Sequence, residues 1–309
     1  MEVIISSVED KYLTGLFTAV APVAWGTTYW VTQTYLPDRP LFDGLVRALP
    51  VGLVMLAWRR ELPRGVWWWR SALLGVLNIG AFFALIFLAA HHLPGGLAAT
   101  MTAISPLVVM ALAWPLAGER PTRLGLAGGV VGLVGVGLLV LRGGGSVDVV
   151  GVAAAIGAVA ISAFGFVLVK RWKPPTDLLT FTSWQLVAGG LFLLPVALLV
   201  EGAPPTVDTR GVVAFAYLAL VGTGLAYVAW FTGVRRLGAG PTSLIGLVNP
   251  VVGTLLGVAL AGEAFGPAQA AGMALVLGGV LAGQPAVVEL VVRRRARRTL
   301  TAEQACLAS

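Results

Sequence analysis

Residues able to do chemistry are few in this chain, and they sit in apolar surroundings. Asp43 and Arg47 are four apart, which sets both on one face of a helix and lets them pair. Charges in such a stretch are costly, and they mark either a structural ion pair or a gating one. Ser105-Pro106 and Asn249-Pro250 each put a polar side chain directly before a proline. Proline removes a backbone donor and disfavours a straight helix. The freed carbonyls can bind a ligand and the bend can act as a hinge, or the proline marks a static packing kink. Asn78, Thr100, Thr102, Ser162, Gln185, Thr223 and Tyr227 are polar groups within apolar runs. In lipid such groups must find partners, on neighbouring helices or in a substrate. The aromatics Trp25, Tyr29, Phe82, Phe83, Trp184 and Trp230 can line an amphipathic pocket or simply fill space.

Other chemistries lack their residues. His91-His92 is an adjacent pair of a residue type that can carry protons, but no carboxylate lies nearby in sequence, and its expected place is an outer loop. That leaves a membrane-embedded lipid-modifying enzyme as a distant alternative, and it gives no catalytic or metal-ligating set. Gly143-Gly144-Gly145 lacks the Lys and Ser/Thr of a phosphate loop, so no nucleotide or other cofactor is expected. Cys306 is the one cysteine, which excludes an intramolecular disulfide.

The elements that position these residues follow from composition. The 309 residues are 58% hydrophobic and 11% charged, with mean hydropathy +0.89. A soluble domain carries about 25% charged residues, so a soluble enzyme and a coiled coil are excluded. The net charge of +7 invites nucleic acid as a partner, but the basic residues lie between and after apolar runs, as in membrane proteins. Counting about 20 apolar residues per crossing predicts ten spans: 12–36, 41–58, 68–90, 95–117, 122–141, 149–169, 178–200, 211–234, 238–261 and 267–292. The runs are continuous rather than alternating, which sets a β-barrel aside.

Lys and Arg collect in alternate connections. One set holds Lys11, Arg59, Arg60, Arg64, Arg70, Arg120, Arg123, Lys170, Arg171, Lys173, Arg235, Arg236 and the tail arginines 293–298; the other holds only Arg39, Arg142 and Arg210. By the positive-inside rule both termini face the cytoplasm, and the protein spans the cytoplasmic (inner) membrane. Trp67-Trp68-Trp69 beside Arg70 reads as an interfacial anchor, and the tail 293–309 as a basic topology signal touching anionic lipid.

The chain also repeats itself. At an offset of 144 residues, Pro106, Gly118 and Glu119 meet Pro250, Gly262 and Glu263, with Gly128 and Gly135 meeting Gly272 and Gly279. Ala24-Trp25-Gly26 echoes Ala163-Phe164-Gly165 at 139, so an indel lies between. The halves are 12–141 and 149–292, five spans each. An odd-numbered repeat places its copies upside down relative to each other, the plan of many secondary transporters. The expected fold is therefore an all-α integral membrane protein of ten transmembrane helices in two inverted five-helix repeats. Gly125-x-x-x-Gly129 and Gly253-x-x-x-Gly257 permit close helix approach within the bundle, or in a homodimer.

Trp25-Gly26, the paired Pro106…Gly118-Glu119-Arg120-Pro121 and Pro250…Gly262-Glu263, and Gly224-Leu225-Ala226-Tyr227…Trp230 together resemble the EamA-type branch of the drug/metabolite transporter superfamily. The resemblance covers nearly the whole chain except the tail. It implies export of amino acids or other small metabolites through a central cavity ringed by the third, fourth, eighth and ninth spans. That placement singles out Asn78, Thr102, Tyr227 and Asn249, with Ser105, as substrate contacts. Trp25, Tyr29, Phe82 and Trp230 would be the aromatic wall, and Pro106 and Pro250 the hinges. Sugar-phosphate or nucleotide-sugar exchange, known in related branches, would require several basic residues at cavity depth, and only Arg47 qualifies. The first span has no carboxylate between Tyr12 and Leu36. The proton-exchange glutamate of the small multidrug branch is thus missing, and facilitated export fits at least as well as proton antiport.

Overall fold

The computed structural model describes residues 2–92, 101–140, 148–262 and 265–290. Thr100, Gly143–Gly145, Glu263 and the tail with Cys306 lie outside them, as do the side chains of Tyr29 and His91. The described residues form helices and no strand. The first half contains α1 (Glu2–Tyr35), α2 (Pro40–Arg59), α3 (Trp67–Gly75), a π-helical turn (Val76–Gly80), α4 (Ala81–His92), α5 (Ser105–Ala117) and α6 (Arg123–Val140). The second contains α7 (Val149–Trp172), α8 (Leu178–Val200), α9 (Thr209–Ala219), a second π turn (Leu220–Leu225), α10 (Ala226–Arg236), α11 (Ala239–Ile245), α12 (Val248–Ala261) and α13 (Pro267–Ala282).

Among the described residues six helical rods are long and apolar enough to cross a bilayer, and Ser105–Ala117, Arg123–Leu139 and Pro267–Ala282 are shorter apolar helices. Helix α1 runs ten residues further toward the N-terminus than the expected span, from Glu2. The expected span 267–292 is not one continuous helix: α13 stops at Ala282, a break falls at Gly283 and Gln284, and a further helical segment runs over 285–290. Pro285 has no N–H with which to continue the α13 ladder, and Gly283 caps it.

Local chemistry sets most boundaries. Pro40 opens α2, where a missing N–H costs nothing. Asp148, Asp177 and Asp208 cap α7, α8 and α9 by accepting from Val150 N, from Leu179 N and Thr180 N, and from Gly211 N. Gly118 and Gly262, 144 apart, both close their helices with positive φ, 72° and 66°. Pro106 and Pro250 each follow an interruption. Ile104 N donates to Met101 O and Leu107 N to Ile104 O before α5, while Leu247 N to Leu244 O and Asn249 N to Gly246 O make the matching tight turns before α12. The helical path is therefore broken at residues 103–104 and 246–247, two to four residues ahead of the prolines.

Helices equivalent under the 144 offset pack on each other. An added Cβ at Gly135 would lie 2.7 Å from Gly272 O, and one at Gly279 would lie 2.5 Å from Gly128 O. From Gly128 to Gly135 on α6 the partner falls from Gly279 to Gly272, so α6 and α13 run antiparallel. The offset turns each of these contacts into the other, which is the signature of a local two-fold axis. Helices α2 and α8 also cross antiparallel, with Gly52 against Leu186 and Gly190 against Leu49. Gly129 packs on Leu107 within the chain.

Polar contacts gather the connections at two ends. At one end Arg59 Nη2 meets Asp177 Oδ2 at 2.6 Å, Thr176 donates to Glu61 at 2.8 Å, Lys170 Nζ lies 3.3 Å from Glu119 Oε1, and Lys11 Nζ lies 2.7 Å from Glu289 Oε2. These are the connections rich in Lys and Arg. The last contact also returns the chain to the end from which it started. Arg70 sits there over Trp172 at 5.0 Å and Trp67 at 5.4 Å. At the other end Glu201 accepts from Leu41 N at 2.7 Å and Phe42 N at 2.9 Å, and His92 Nδ1 lies 2.8 Å from Asp148 Oδ2.

Candidate substrate site

The second π turn organises the middle of the bundle. A π turn widens the helix by one residue and disturbs the i→i−4 ladder, so its carbonyls turn to other donors. The Gly222 carbonyl accepts from Trp25 Nε1 of α1 at 3.0 Å and from Arg47 Nη2 of α2 at 3.0 Å. Arg47 Nε donates to Thr223 Oγ1 at 2.9 Å, and its guanidinium carbon lies 5.1 Å from the Phe83 ring centroid. Two helices of the first half are thus tied to one backbone group of the second.

Aromatic rings close round this knot. Trp25 is 5.5 Å from Tyr227 and 5.1 Å from Trp230, and Trp230 is 5.4 Å from Phe166 of α7. Tyr227 and Trp230 are buried, while Trp25 keeps partial exposure. Trp230 Nε1 has no hydrogen-bond partner. Beside Trp25, Gly26 lets α12 approach: a Cβ there would be 2.9 Å from Asn249 O and 2.6 Å from Val252 Cβ. Thr27 Oγ1 lies 2.7 Å from the Tyr217 hydroxyl.

The first π turn, 144 residues earlier, carries Asn78. Its Nδ2 donates to Gln185 Oε1 of α8 at 2.8 Å, and its carbonyl accepts from the Tyr227 hydroxyl at 3.0 Å. Asn78 Oδ1 and Gln185 Nε2 are left without partners, and Oδ1 lies where any Cβ on Gly165 would be. The two π turns therefore reach Tyr227 and Trp25, which touch each other.

The structure gathers Trp25, Tyr227, Trp230 and the Asn249 backbone, and it links Asn78 to them through Tyr227. Phe82 is one step removed, 5.9 Å from Phe83. Thr102 and Ser105 flank the break before α5, whose packing runs to α7 through Val109, Ala113, Ala163 and Val167. Asp43 and Arg47 share a face of α2, but the hydrogen bonds described for the guanidinium go to the π turn. Asp43 is 3% exposed, and its Oδ1 has no partner. Spacing alone suggested a pair; it could not show that Gly222 and Thr223 also accept from Arg47 across the bundle. The Gly222 carbonyl and Phe166 are additions that sequence reasoning missed. The one available signal was the Gly222-Thr223-Gly224 triplet aligned with Asn78-Ile79-Gly80.

Glu119 has a bracing role at the basic end. Its Oε2 accepts from Ala239 N at 2.9 Å and its Oε1 faces Lys170, which also donates to Arg235 O at 3.1 Å. It ties the ends of α5, α7 and α10 to the start of α11. Near it lies a cavity of about 450 Å³ reached by Lys11, Arg120, Thr122, Pro241 and Glu289, well away from Trp25. Burial pushes the Asp177 carboxyl up, but hydrogen bonds from Thr180 and Arg59 outweigh this and hold it below the usual range. The His92 side chain and Val150 N hold Asp148 low as well. Among the described residues no three His, Cys, Asp or Glu side chains could share a metal.

The EamA-like transporter family model matches residues 13–141 and 149–282, nearly the whole described chain. This chain belongs to the EamA-like transporter family. That family lies within the drug/metabolite transporter superfamily, and the names of its members point to transport rather than to enzymatic activity. Protein PecM of Dickeya dadantii (strain 3937) is 37% identical over 282 residues, covering 90% of this chain and 94% of PecM. A probable terminal-alkyne amino-acid exporter of Streptantibioticus cattleyicolor is 28% identical over 223 residues, 72% of this chain and 73% of its own. A protein of known crystal structure, 22% identical, superposes with a TM-score of 0.77 over 87% of this chain and 96% of its own, which shows a shared fold. The two matched segments of the EamA-like chain meet at Trp25 and Gly222.

Proposed function

We propose that the chain is a secondary transporter exporting small metabolites, amino acids or related compounds, across the cytoplasmic membrane. The two five-span repeats, 12–141 and 149–292, alternate access to a site between them, and both termini face the cytoplasm. The observation that carries this reading is the shared Gly222 carbonyl. Trp25 and Arg47 from one half and the π turn from the other meet beside Tyr227 and Trp230, at the seam a rocking motion must open and close. The breaks before Pro106 and Pro250 supply pliable points at matching positions of both halves. The amino-acid exporter among the relatives supports the substrate class, and the aromatic wall with a few polar groups suits a small amphipathic solute. A sugar phosphate is less well served, because Arg47 is the only buried cationic side chain among the described residues and is already engaged.

The test is efflux from proteoliposomes loaded with labelled amino acids and related metabolites, with and without a pH gradient. We expect at least one compound to leave faster than from protein-free liposomes, and Trp25→Ala to slow that efflux about tenfold or more. Efflux no faster than from empty liposomes across the panel, from protein that remains folded, overturns the reading. Single cysteines at positions 78 and 249, in a Cys306→Ser background, should react with hydrophilic thiol reagents. Inertness of both under all conditions removes them from the site.

A further inference from the structure

We propose that Asp43 is a proton-binding site coupled to the central aromatic site through Arg47 and the Gly222 carbonyl. Asp43 is the only buried carboxylic acid and Arg47 the only buried cationic side chain among the described residues. Ionisable groups buried in a membrane protein are costly and commonly form proton relays. Asp43 Oδ1 has no hydrogen-bond donor, although the residue is only 3% exposed. The neighbouring acid is differently placed: Glu201 receives the two backbone donors at the start of α2. The charged groups facing Asp43 are Glu201 from the end of α8, Arg47 one turn along α2, and Asp38 from the connection before it. A proton on a bare oxygen among two other carboxylates relieves both the missing bond and the repulsion.

Coupling follows from Arg47. With Asp43 protonated, no charge one turn away competes for the guanidinium, and Arg47 stays on Gly222 O and Thr223 Oγ1. Loss of the proton leaves a carboxylate four residues away on the same face, the spacing at which the two attract. Arg47 then moves toward Asp43, and Gly222 O is left to Trp25 alone. The proton leaves as the O–H bond of the carboxyl breaks, and it passes to water at the Glu201 end. Because linkage is reciprocal, a substrate that displaces Trp25 from Gly222 O must change the proton occupancy of Asp43. This consequence for transport rests on the proposed exporter function, but proton binding itself can be read without any substrate.

The experiment uses the full chain in lipid nanodiscs, titrated with pH. Infrared difference spectra should show a carboxylic-acid C=O band that disappears as pH rises. Asp43→Asn should abolish it, and Asp43→Glu should keep it with a moved midpoint. Tryptophan emission should follow the same titration in the wild type, lose that component in Trp25→Phe, and stay flat in Asp43→Asn. Asp43→Glu carries the test if Asp43→Asn does not fold. A titrating band unaffected in every Asp43 variant, or no band, overturns the site. A band that titrates without any change in Trp25 emission overturns the coupling. If the titration behaves as expected while no compound is effluxed, the exporter reading fails and the proton site stands. Efflux without the titration means the reverse.

Discussion

Crossed alanine substitutions in α6 and α13 test the antiparallel pairing of the two halves. A methyl at Gly135 would sit 2.7 Å from Gly272 O and 2.8 Å from Val276 N, against 3.4 Å or more for ordinary contact. Both are backbone atoms, so one helix must retreat by about 0.7 Å, the difference between 2.7 and 3.4 Å. Overpacking of that kind costs about 1–3 kcal/mol, offset in part by the roughly 1 kcal/mol that alanine gains over glycine in a helix. Gly278 is the control on α13, with open space at its Cβ position, so Gly278→Ala should be neutral or stabilising. The decisive comparison is a double-mutant cycle. Gly128→Ala and Gly279→Ala act on one contact and should show a coupling of about 0.5–3 kcal/mol. Gly128→Ala and Gly272→Ala act on sites seven residues, or about 10 Å, apart along the helix axes and should add within about 0.5 kcal/mol. Unfolding in mixed micelles, followed by tryptophan emission, reads both cycles. Coupling in the second cycle and additivity in the first would mean that α6 and α13 run parallel, and the reasoning would be wrong.

Three further outcomes follow from named contacts. Glu119→Ala removes the acceptor of Ala239 N, so it should destabilise the fold by about 0.5–2 kcal/mol; its ion pair with Lys170 is about a quarter exposed and adds little beyond this. Thermal melts should show the loss, and Glu119→Gln should recover part of it through the retained carbonyl. Trp25→Phe removes one hydrogen bond to Gly222 O, worth about 0.5–1.5 kcal/mol, while keeping the rings in contact. Efflux should fall less than in Trp25→Ala, and equal losses in both variants would assign the effect to the ring. Asp177 is held low in the folded chain, so its contribution is present above its unfolded value of 3.8 and is lost as pH falls through and below it. Melting temperature should therefore drop on acidification more steeply in wild type than in Asp177→Asn, and parallel profiles would contradict the assigned hydrogen bonds.

How much of this was legible in the sequence depended on whether a feature is local or arises between distant segments. Span positions, the prolines before the broken helices and the glycine caps at 118 and 262 are local, since hydropathy, a missing N–H and a positive φ are set within a few residues. The alternation of basic connections anticipated which loops share an end, because charge and membrane sidedness are linked, and the Arg59–Asp177 and Lys11–Glu289 contacts fall on that pattern. The centre of the site behaved differently. Arg47 has an acid at helical spacing, yet its described hydrogen bonds cross to Gly222 and Thr223, about 175 residues away in the chain. No periodicity encodes that choice. It depends on a π turn presenting a carbonyl at the depth where α1 and α2 converge, and that turn has only a glycine pair as its local mark. The same turn occurs 144 residues earlier with Asn78 in place of Gly222. One copy therefore contributes a side-chain amide where the other contributes bare backbone. On the proposed exporter reading, a symmetric scaffold with unlike groups at equivalent turns would give a site with distinct sides, able to hold a solute of definite orientation while the two halves exchange conformations. The repeat would then supply the motion, and departures from the repeat the selectivity.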